Sequence, residues 1–474
     1  MIWSIAWKNV WRNHKRSIIV IAAVLLGTAA GVFTSGLMVG WVDQRISSLV
    51  HIEVGHIKLH NPNYLNNEEI GYTLPDSRAV VHYLSSIPAI KGFSPRIKVT
   101  SMASTSRGNT ALTLQGINVG QEKQVSELYK KLLPGGSFLE TTGENPIVIS
   151  DKTAEQLRIK NYTLTKVALD SLLNLSVPPA VIDRLREFDQ VRFNTEKAFT
   201  KAVSQRLTSK QVNKYGADIV NVAKHYRLRS KIIVTFTDAS GEMVSQSFRV
   251  CGIFKTSDLL FDQANAFVRK NELAQLTGLS PDDCQEIGIL LHNESDVKAT
   301  QAAIKHAFPA LSVMNWLEIS PDAGMLTQYM VFYYYIIMGF ILFALAFGII
   351  NTMLMAIMER TKELGMLMAI GMSRKRIFYM IMLETIFLTL IGAVLGMAFG
   401  WLAITITGHT GLDFSVVGEG FEAMGWSAVV YPSITPDFFF GVTLMVIATG
   451  ILSSILPARK ALSLDPVDAI KTDN

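Results

Sequence analysis

The stretch MERTKELGMLMAIGMSRKR, Met358–Arg376, is a charged, amphipathic segment between two long apolar runs. Neither Ala323–Met358 before it nor Thr385–Leu412 after it contains Asp, Glu, Lys or Arg. Each run is longer than the roughly 20 residues that cross a bilayer as a helix. Short basic segments between two spans stay in the cytoplasm. The sequence therefore predicts a membrane protein that presents a small structured segment to a cytoplasmic partner.

Four segments qualify as transmembrane helices by length and hydropathy, and a long polar region separates the first two. We place the spans at Ser17–Val42, Gln328–Met358, Ile377–Gly408 and Phe438–Ala458. Residues 43–327, between the first and second spans, are enough for one large soluble domain or two modest ones. The first apolar run is too long for the core of a cleaved signal peptide, so we expect it to remain as an anchor.

Lysine and arginine concentrate on the short flanks of the spans. They are Lys8, Arg12, Lys15 and Arg16 before the first span, Arg360, Lys362, Arg374, Lys375 and Arg376 between the second and third, and Arg459 and Lys460 after the fourth. This bias predicts that residues 1–16, 359–376 and 459–474 are cytoplasmic. The domain at 43–327 and the short loop at 409–437 are then outside. Since Trp3, Trp7 and Trp11 recur every fourth residue, residues 1–16 are predicted to form an amphipathic helix against the membrane.

The exported region mixes strand and helix patterns and predicts an α+β domain. Strands are expected at His51–His60, Arg96–Ala103, Ala111–Val119, Ile147–Ile149, Lys231–Asp238, Glu242–Phe254, Ile287–His292 and Leu311–Trp316, and helices at Lys152–Arg158 and Asp296–Phe308. Asn161–Arg229 instead has helical patterns and many Lys and Arg residues, and we interpret it as a helical insertion. Its basic surface is either simply solvated or a docking surface for anionic headgroups or a partner protein.

Several kinds of chemistry are missing from the sequence. No P-loop of the form GxxxxGK[ST] occurs, so the chain is not expected to bind ATP or any other cofactor. We find no HExxH, no paired CxxC and no nucleophile elbow, and His56 and His60 lie in a strand-like run that does not suit a metal site. Cys251 and Cys284 are expected to stay unpaired, and the net charge of +5 does not require a nucleic-acid partner. A membrane enzyme is therefore disfavoured.

The spans carry signals for close helix packing. Gly392, Gly396 and Gly400 repeat at four-residue spacing and leave a smooth groove on the third span. Glu384 lies in the same span, where an unpaired acid is costly. We expect it to pair with Arg374, with Arg376 or with a neighbouring helix.

Four segments resemble the FtsX/MacB-type permeases of ATP-binding cassette (ABC) transporters, and within them the lipoprotein-releasing permeases. They are AWKNVWRNHKRS (Ala6–Ser17), GHIKLHNPNY (Gly55–Tyr64), ERTKELGMLMAIGMSRKRI (Glu359–Ile377) and ILPARKALSLDPVDAIK (Ile455–Lys471). The order of one span, a large domain and three further spans also resembles that family. The resemblance implies four transmembrane helices and a MacB-like periplasmic α+β core domain between the first two.

The resemblance also implies a mechanism. Two permease chains, identical or different, pair in the cell inner membrane, and each is held by one subunit of a cytoplasmic ATPase dimer, which carries the ATP and Mg. The segment Thr361–Ser373 would be the coupling helix seated in the ATPase. Leu364, Leu367, Met368 and Ile370 would pack there, Arg360, Lys362 and Glu363 would set the register, and Ser373 would end the contact. ATP-driven motion would then be transmitted across the membrane to move an amphipathic cargo.

Three outputs are compatible with these motifs. The resemblance favours release of lipoproteins from the inner membrane. The alternatives are ATP-driven signalling or scaffolding, in which the permease activates an exported partner such as a cell-wall hydrolase, and efflux of small amphipathic molecules. The insertion at Asn161–Arg229 is longer than the resemblance to lipoprotein-releasing permeases leads us to expect.

Overall fold

The computed structural model describes residues 2–12, 14–140, 143, 145–175, 177–414, 420–421 and 426–462. Its chain divides into two compact units. We name residues 1–46, 322–419 and 426–474 the helical unit, and residues 47–321 and 420–425 the sheet unit. The end of the C-terminal signature predicted at Ile455–Lys471 lies outside the described residues, which stop at 462.

The described residues form α-helices along the whole length of the chain. In chain order they are α1 (Ile2–Arg12), α2 (His14–Ser48), α3 (Tyr64–Asn67), α4 (Ser77–Ser85), α5 (Val119–Val125), α6 (Asp151–Gln156), α7 (Lys166–Asn174), α8 (Pro179–Leu185), α9 (Glu196–Arg206), α10 (Ser209–Ala223), α11 (Leu259–Ala264), α12 (Lys270–Thr277), α13 (Val297–Ala307), α14 (Trp316–Ile319), α15 (Pro321–Glu359), α16 (Thr361–Ala369), α17 (Arg374–Thr410) and α18 (Pro436–Leu462).

The strands of the described residues follow the same order. They are β1 (Ile57–His60), β2 (Ile90–Ser104), β3 (Asn109–Ile117), β4 (Pro146–Ser150), β5 (Lys160–Tyr162), β6 (Lys224–Tyr226), β7 (Lys231–Thr237), β8 (Met243–Phe254), β9 (Asn265–Arg269), β10 (Glu286–Leu291), β11 (Ser312–Asn315), β12 (Leu412–Asp413) and β13 (Val429–Val430).

Four helical stretches in the described part of the chain are long and apolar enough to cross a membrane. They are Ser17–Val54, Phe332–Glu359, Arg374–Thr410 and Pro436–Leu462. The first continues as a π-helical segment at Leu49–Val54, whose residues Leu49, Val50, Ile52 and Val54 are buried. The strand predicted at His51–His60 is therefore wrong over its first half, and only Ile57–His60 is extended. The alternation of Val50, Ile52 and Val54 suggested a strand, but the helix of the first span continues through them until Gly55, at φ 82°, ends it.

The sheet unit is built on a ring of six strands. The order β2–β3–β9–β4–β8–β7 is closed by a further pairing between β2 and β7, while β10, β1 and β11 extend the sheet from the other half of β2. The long strand β2 makes this possible because its residues 90–96 pair with β10 and residues 101–104 pair with β7. Two pairings, β3–β9 and β4–β8, are parallel. The unit is therefore a mixed α+β fold, as predicted.

Most predicted strands and helices of the sheet unit are present, but β9, the short strands β5 and β6, and several helices, among them α4 and α12, were not predicted. Asn265–Arg269 is five residues long, with three buried residues in a row. Such a short run shows no alternation that separates a strand from a buried helix segment.

Cys251 and Cys284 are both free.

The region predicted as an insertion forms a helical subdomain with its own core. Helices α7 to α10 bury residues such as Leu172, Leu185, Phe199 and Ile219 together. The short strands β5 and β6 pair with each other where the chain enters and leaves this subdomain. The backbone N–H of Thr163 donates to the carbonyl of Ala223 at 2.8 Å, so the two ends are adjacent.

Candidate coupling site

The helix α16 is a separate short element between the second and third candidate spans. The long helix α15 ends at Glu359, and Arg360, with φ −102° and ψ 16°, interrupts the helical path before α16 begins. After α16, Gly371 adopts a φ of 98°, which favours glycine, and extended Ser373 precedes α17. These breaks set α16 apart as a distinct element of the helical unit.

The inner face of α16 packs on its own chain. Leu364 is only 5% exposed and belongs to the apolar core of the helical unit, together with Ile357 and Ile377. Leu367 and Met368 are half-buried against the same core. Burial of this kind is the main force that holds a nine-residue helix in place, because isolated helices of this length are marginal in water.

Two ionic contacts attach α16 to other helices. Arg360 Nη1 donates to Glu384 Oε1 at 3.2 Å, and its Nη2 donates to the backbone carbonyl of Asn9 at 3.4 Å. Glu384 is 4% exposed, so its partner Arg360 offsets part of the desolvation of the carboxylate. Arg12 donates to Glu363 at the surface. The pairing of Glu384 with a neighbouring helix, one of the predicted alternatives, is therefore present.

The amphipathic helix α1 braces this arrangement. The rings of Trp3 and Trp7 pack edge-on against Phe387 of α17, with centroid distances of 5.7 and 5.5 Å. Together with Arg12 and Asn9, these contacts connect α1 to both α16 and α17. The tryptophan spacing predicted the helix, but its contact with Glu363 spans 351 positions and leaves no local signal in the sequence.

The outer face of α16 and the turn after it are exposed. Lys362, Glu363 and Met366 lie on this face, and Ile370, immediately after the helix, is 85% exposed. Ser373 and the basic run Arg374–Arg376 are exposed as well. A surface with an apolar centre and a positive border suits an apolar groove lined by acidic residues.

A cavity of about 450 Å³ lies beside α16 within the helical unit. Side chains from α1, α15, α16 and α17 line it, and they include the Arg360–Glu384 pair and the apolar residues Met353, Leu367 and Ile370. A helix beside a cavity loses fewer van der Waals contacts when it moves than a helix in a filled core does. The site therefore combines ionic contacts to α1 and α17 with an adjoining cavity.

The eight residues predicted for ATPase contact fall into two groups. Arg360 and Leu364 are directed into their own chain, with Leu367 and Met368 half-buried. Lys362, Glu363, Ile370 and Ser373 are exposed. Contact of any of them with an ATPase stays a prediction.

The three predicted packing glycines lie against the first span of the same chain. A Cβ on Gly396 would lie 2.6 Å from the carbonyl oxygen of Leu25, and one on Gly392 or Gly400 would lie 2.7 or 2.8 Å from Val24 or Val32. Real Cβ atoms do not approach so closely, so α17 and α2 can pack at this distance only because these positions are glycine.

The chain is similar to several known membrane transport proteins. Residues 335–466 match the family described as FtsX-like permease C-terminal. The chain is 27% identical to the uncharacterized ABC transporter permease YknZ of Bacillus subtilis over 50% of this chain and 57% of that one, so the match spans little more than half of that relative. It is 23% identical to a macrolide export ATP-binding/permease protein MacB of Shewanella oneidensis, over 90% of this chain and 68% of that one.

A third relative matches over almost its whole length. The uncharacterized ABC transporter permease YvrN of Bacillus subtilis is 21% identical, over 98% of each chain. Residues 335–466 thus match an FtsX-like permease domain, and the chain, with four candidate spans and a large α+β unit between the first two, is similar to ABC transporter permeases of the FtsX/MacB type.

Proposed function

We propose that this chain is the membrane subunit of a transporter whose ATPase is a separate cytoplasmic protein, and that α16 is the helix through which the two are coupled. The observation that carries this proposal is the arrangement of α16, which exposes Ile370 and Met366 while Arg360 and Glu363 attach it to α17 and α1. A displacement of α16 by the ATPase would be transmitted to α17 and α1 through these ionic contacts. ATP and Mg would be bound by the partner ATPase.

Similarity to a relative that is named only as a permease supports the proposal of a separate ATPase. The ATP-binding/permease protein MacB is covered over 68% of its length, whereas the permease YvrN is covered over 98%. We propose that two permease chains and two ATPase subunits form the working complex in the cell inner membrane. Both termini and α16 would be cytoplasmic, and the sheet unit would be outside, as the distribution of Lys and Arg predicts.

The cargo we propose is an amphipathic molecule moved on the outer side of the membrane. The resemblance in the motifs favours lipoprotein release. Efflux of small amphipathic molecules has a specific observation in its favour, because the relative that covers 90% of this chain is named for macrolide export. Activation of an exported partner is the signalling alternative. Purification of the complex from native membranes, followed by mass spectrometry of bound lipoproteins, small molecules and partner chains, distinguishes the three.

The coupling proposal is tested by placing a charge at Ile370, on the exposed turn immediately after α16. Ile370→Asp should strongly reduce co-purification of the ATPase, because the aspartate would have to be desolvated in an apolar groove at a cost of a few kcal/mol. Membrane insertion should persist, since Ile370 is 85% exposed and contributes little to the fold. Co-purification is measured by quantitative mass spectrometry of the detergent-solubilised complex.

Val191→Asp serves as the matched control, because it adds the same charge at an exposed apolar residue of the helical subdomain. It should leave the recovery of the ATPase unchanged. If the Ile370 variant retains the ATPase as well as the control does, α16 is not the coupling helix.

A further inference from the structure

A cavity of about 410 Å³ lies in the sheet unit beside the strands β1, β2 and β10. Lys58 and His60 on β1, Lys98 on β2 and Glu286 on β10 contribute charged or titratable groups to its wall. Lys58, His60 and Glu286 are all more than nine-tenths buried. Charged side chains are rarely buried so deeply unless they are paired or bind something.

The ionic contacts around this cavity are unbalanced. One oxygen of Glu286, Oε2, has three neighbouring donors, with Lys98 Nζ at 2.5 Å, His60 Nε2 at 3.1 Å and Lys58 Nζ at 3.4 Å. Its other oxygen, Oε1, accepts from Arg96 at 2.9 Å, and Arg96 also donates to Glu122 at 2.7 Å. Two lysines and one arginine thus face two buried carboxylates, which leaves an excess of one positive charge among these groups. The exposed Glu68 on the same cavity wall offsets it in part, because solvent weakens its effect.

One nitrogen on the cavity wall has no partner, and one lysine there makes only a long ionic contact. His60 Nδ1 is buried and has no hydrogen-bond partner among the residues that the structure describes. Lys58 is the most distant of the three donors, with its Nζ 3.4 Å from Glu286 Oε2, which is longer than a typical charge-assisted hydrogen bond. Burial lowers the pKa of Lys58 to about 8 and also lowers the pKa of His60. Both shifts disfavour the charged forms of these groups, and an anion bound beside them would favour those forms.

We propose that this cavity binds an oxygen anion, a carboxylate or a phosphate, which is either a free ion or the head of an amphipathic molecule. The anion would accept from Lys58 and from Nδ1–H of a protonated His60, and it would balance the excess positive charge. Leu65, Met314 and Ile319 line the same cavity, so an apolar tail attached to the anion would contact them. Anion binding in this cavity does not depend on the proposed coupling to an ATPase.

Glu68 is an exposed carboxylate that also lines the cavity. It repels an incoming anion, but solvent weakens this repulsion. Removing its charge should therefore tighten anion binding modestly. A variant at Glu68 should therefore change the anion affinity in the opposite direction to the lysine variants.

Calorimetric titration of the full chain in a neutral maltoside detergent tests the proposal. The probes are acetate and inorganic phosphate as free anions and hexanoate as an anion with an apolar tail. The wild type should bind all three at millimolar concentrations or below, and hexanoate more tightly than acetate if the tail contacts the apolar wall. Equal affinities for acetate and hexanoate would assign the site to free anions.

Substitutions then locate the binding. Lys58→Met should weaken hexanoate binding by about tenfold or more, and Lys98→Met should do so to a similar degree. Glu68→Gln should strengthen it, and Lys197→Met, which removes an exposed lysine of the helical subdomain, should have no effect. Lys98 is more exposed than Lys58, so its substitution should disturb the fold less. If Lys58→Met fails to fold, Lys98→Met still tests the proposal.

The pH dependence gives a second readout. A carboxylate probe is ionised throughout pH 6 to 8, whereas protonation of His60 and Lys58 increases as pH falls. Hexanoate should therefore bind more tightly at pH 6 than at pH 8. The other charged or titratable groups around the site are Lys98, Arg96, Glu286, Tyr64 and Glu68. Absence of binding by all three probes, or unchanged binding in both folded lysine variants, would overturn the proposal.

Discussion

Asp262 is a carboxyl group that the fold buries, with only 3% of the residue exposed. The Oγ1 of Thr256 donates to it at 2.7 Å and the N–H of Thr256 at 3.1 Å. Burial raises the pKa of Asp262 to about 7, and the nearby Asp151 and Asp258 act in the same direction, although the bonds from Thr256 oppose the shift. The folded chain therefore holds a proton there that the unfolded chain releases near pH 4.

The stability of the sheet unit should consequently fall as pH rises. The contribution of Asp262 is fully present below its unfolded pKa of about 3.9 and is lost as pH rises through the folded value of about 7. Between pH 5 and pH 8 we expect a loss of roughly 2 to 3 kcal/mol in the free energy of unfolding. Hydrogen exchange of the strands β4 and β9, corrected for intrinsic rates, measures this change.

Asp262→Asn should remove most of this pH dependence, because the amide does not titrate and its oxygen still accepts from Thr256. Asp170→Asn, at an exposed position, is the control and should keep the wild-type dependence. The same slope in both variants would show that Asp262 is not the group responsible.

Individual strands and helices show which patterns the sequence predicts well. The strands β2, β3, β7 and β8 were predicted from alternation, and the glycine pattern at 392, 396 and 400 marked a close helix contact. The sequence did not predict which helix would be the neighbour. The neighbour is α2, whose small or branched residues Val24, Thr28 and Val32 lie opposite the three glycines. These residues are more than 350 positions away from the glycines in the sequence.

Gly396→Ala should destabilise the helical unit by about 1 to 3 kcal/mol, because its Cβ would lie 2.6 Å from the carbonyl oxygen of Leu25. Gly348→Ala on α15 is the matched control, since nothing lies within 4 Å of its added Cβ. The control should be neutral or gain up to about 1 kcal/mol from helix propensity. Unfolding of the detergent-solubilised chain by dodecyl sulfate compares the two. Equal stability of both variants would contradict the close packing of α17 on α2.

The helical subdomain can be removed more cleanly than its sequence boundaries suggested. Tyr226, near the end of the predicted insertion, donates to Asp151 at 2.6 Å, and Lys224 donates to the same buried carboxylate at 3.2 Å. Deleting Asn161–Arg229 would therefore leave Asp151 without these donors. The pairing of β5 with β6 indicates a better cut inside these strands.

Replacing residues 164–222 by a two-residue Asn-Gly turn should leave the sheet unit folded, because Thr163 and Ala223 are already hydrogen-bonded. Circular dichroism and thermal unfolding of the purified chain check this expectation, with the deletion of 161–229 as the destabilised comparison. Recovery of the ATPase should match the wild type. Loss of cargo binding would assign the subdomain a functional role, whereas normal binding would make its basic face a solvated surface.

At the scale of the whole molecule, the order of the spans together with their basic flanks predicts which side of the membrane each segment occupies. Cysteines placed at Ser240 and Asp413 should react with a membrane-impermeant thiol reagent added to intact cells, whereas one at Ser373 should not. All three positions are exposed, so differences in labelling report the side of the membrane and not burial. Cys251→Ala and Cys284→Ala supply the background.

As the control for reagent access, the cysteine at position 373 should become labelled once the membrane is permeabilised. Labelling of Ser373 in intact cells would contradict the predicted orientation. Cys284 is fully buried, so the expression and stability of its alanine variant need to be checked before the labelling is interpreted.

The sequence alone was sufficient for the features that depend on local composition and period. Apolar runs long enough to span a bilayer, the basic flanks, the helical pattern of the subdomain and the charged segment at Met358–Arg376 can each be recognised within a few dozen residues. The physical reason is that membrane insertion and amphipathic helix formation depend mainly on neighbouring residues.

Only the tertiary structure decided which distant residues meet. It closed the strand ring through the pairing of β2 with β7, joined Arg12 to Glu363 and Arg360 to Glu384, and gathered Lys58, His60 and Lys98 around Glu286. These contacts are set by the register of strands and the packing of helices that are far apart in the chain. Because many partners of suitable charge or size exist for each residue, the choice among them is made by the packing of the whole unit.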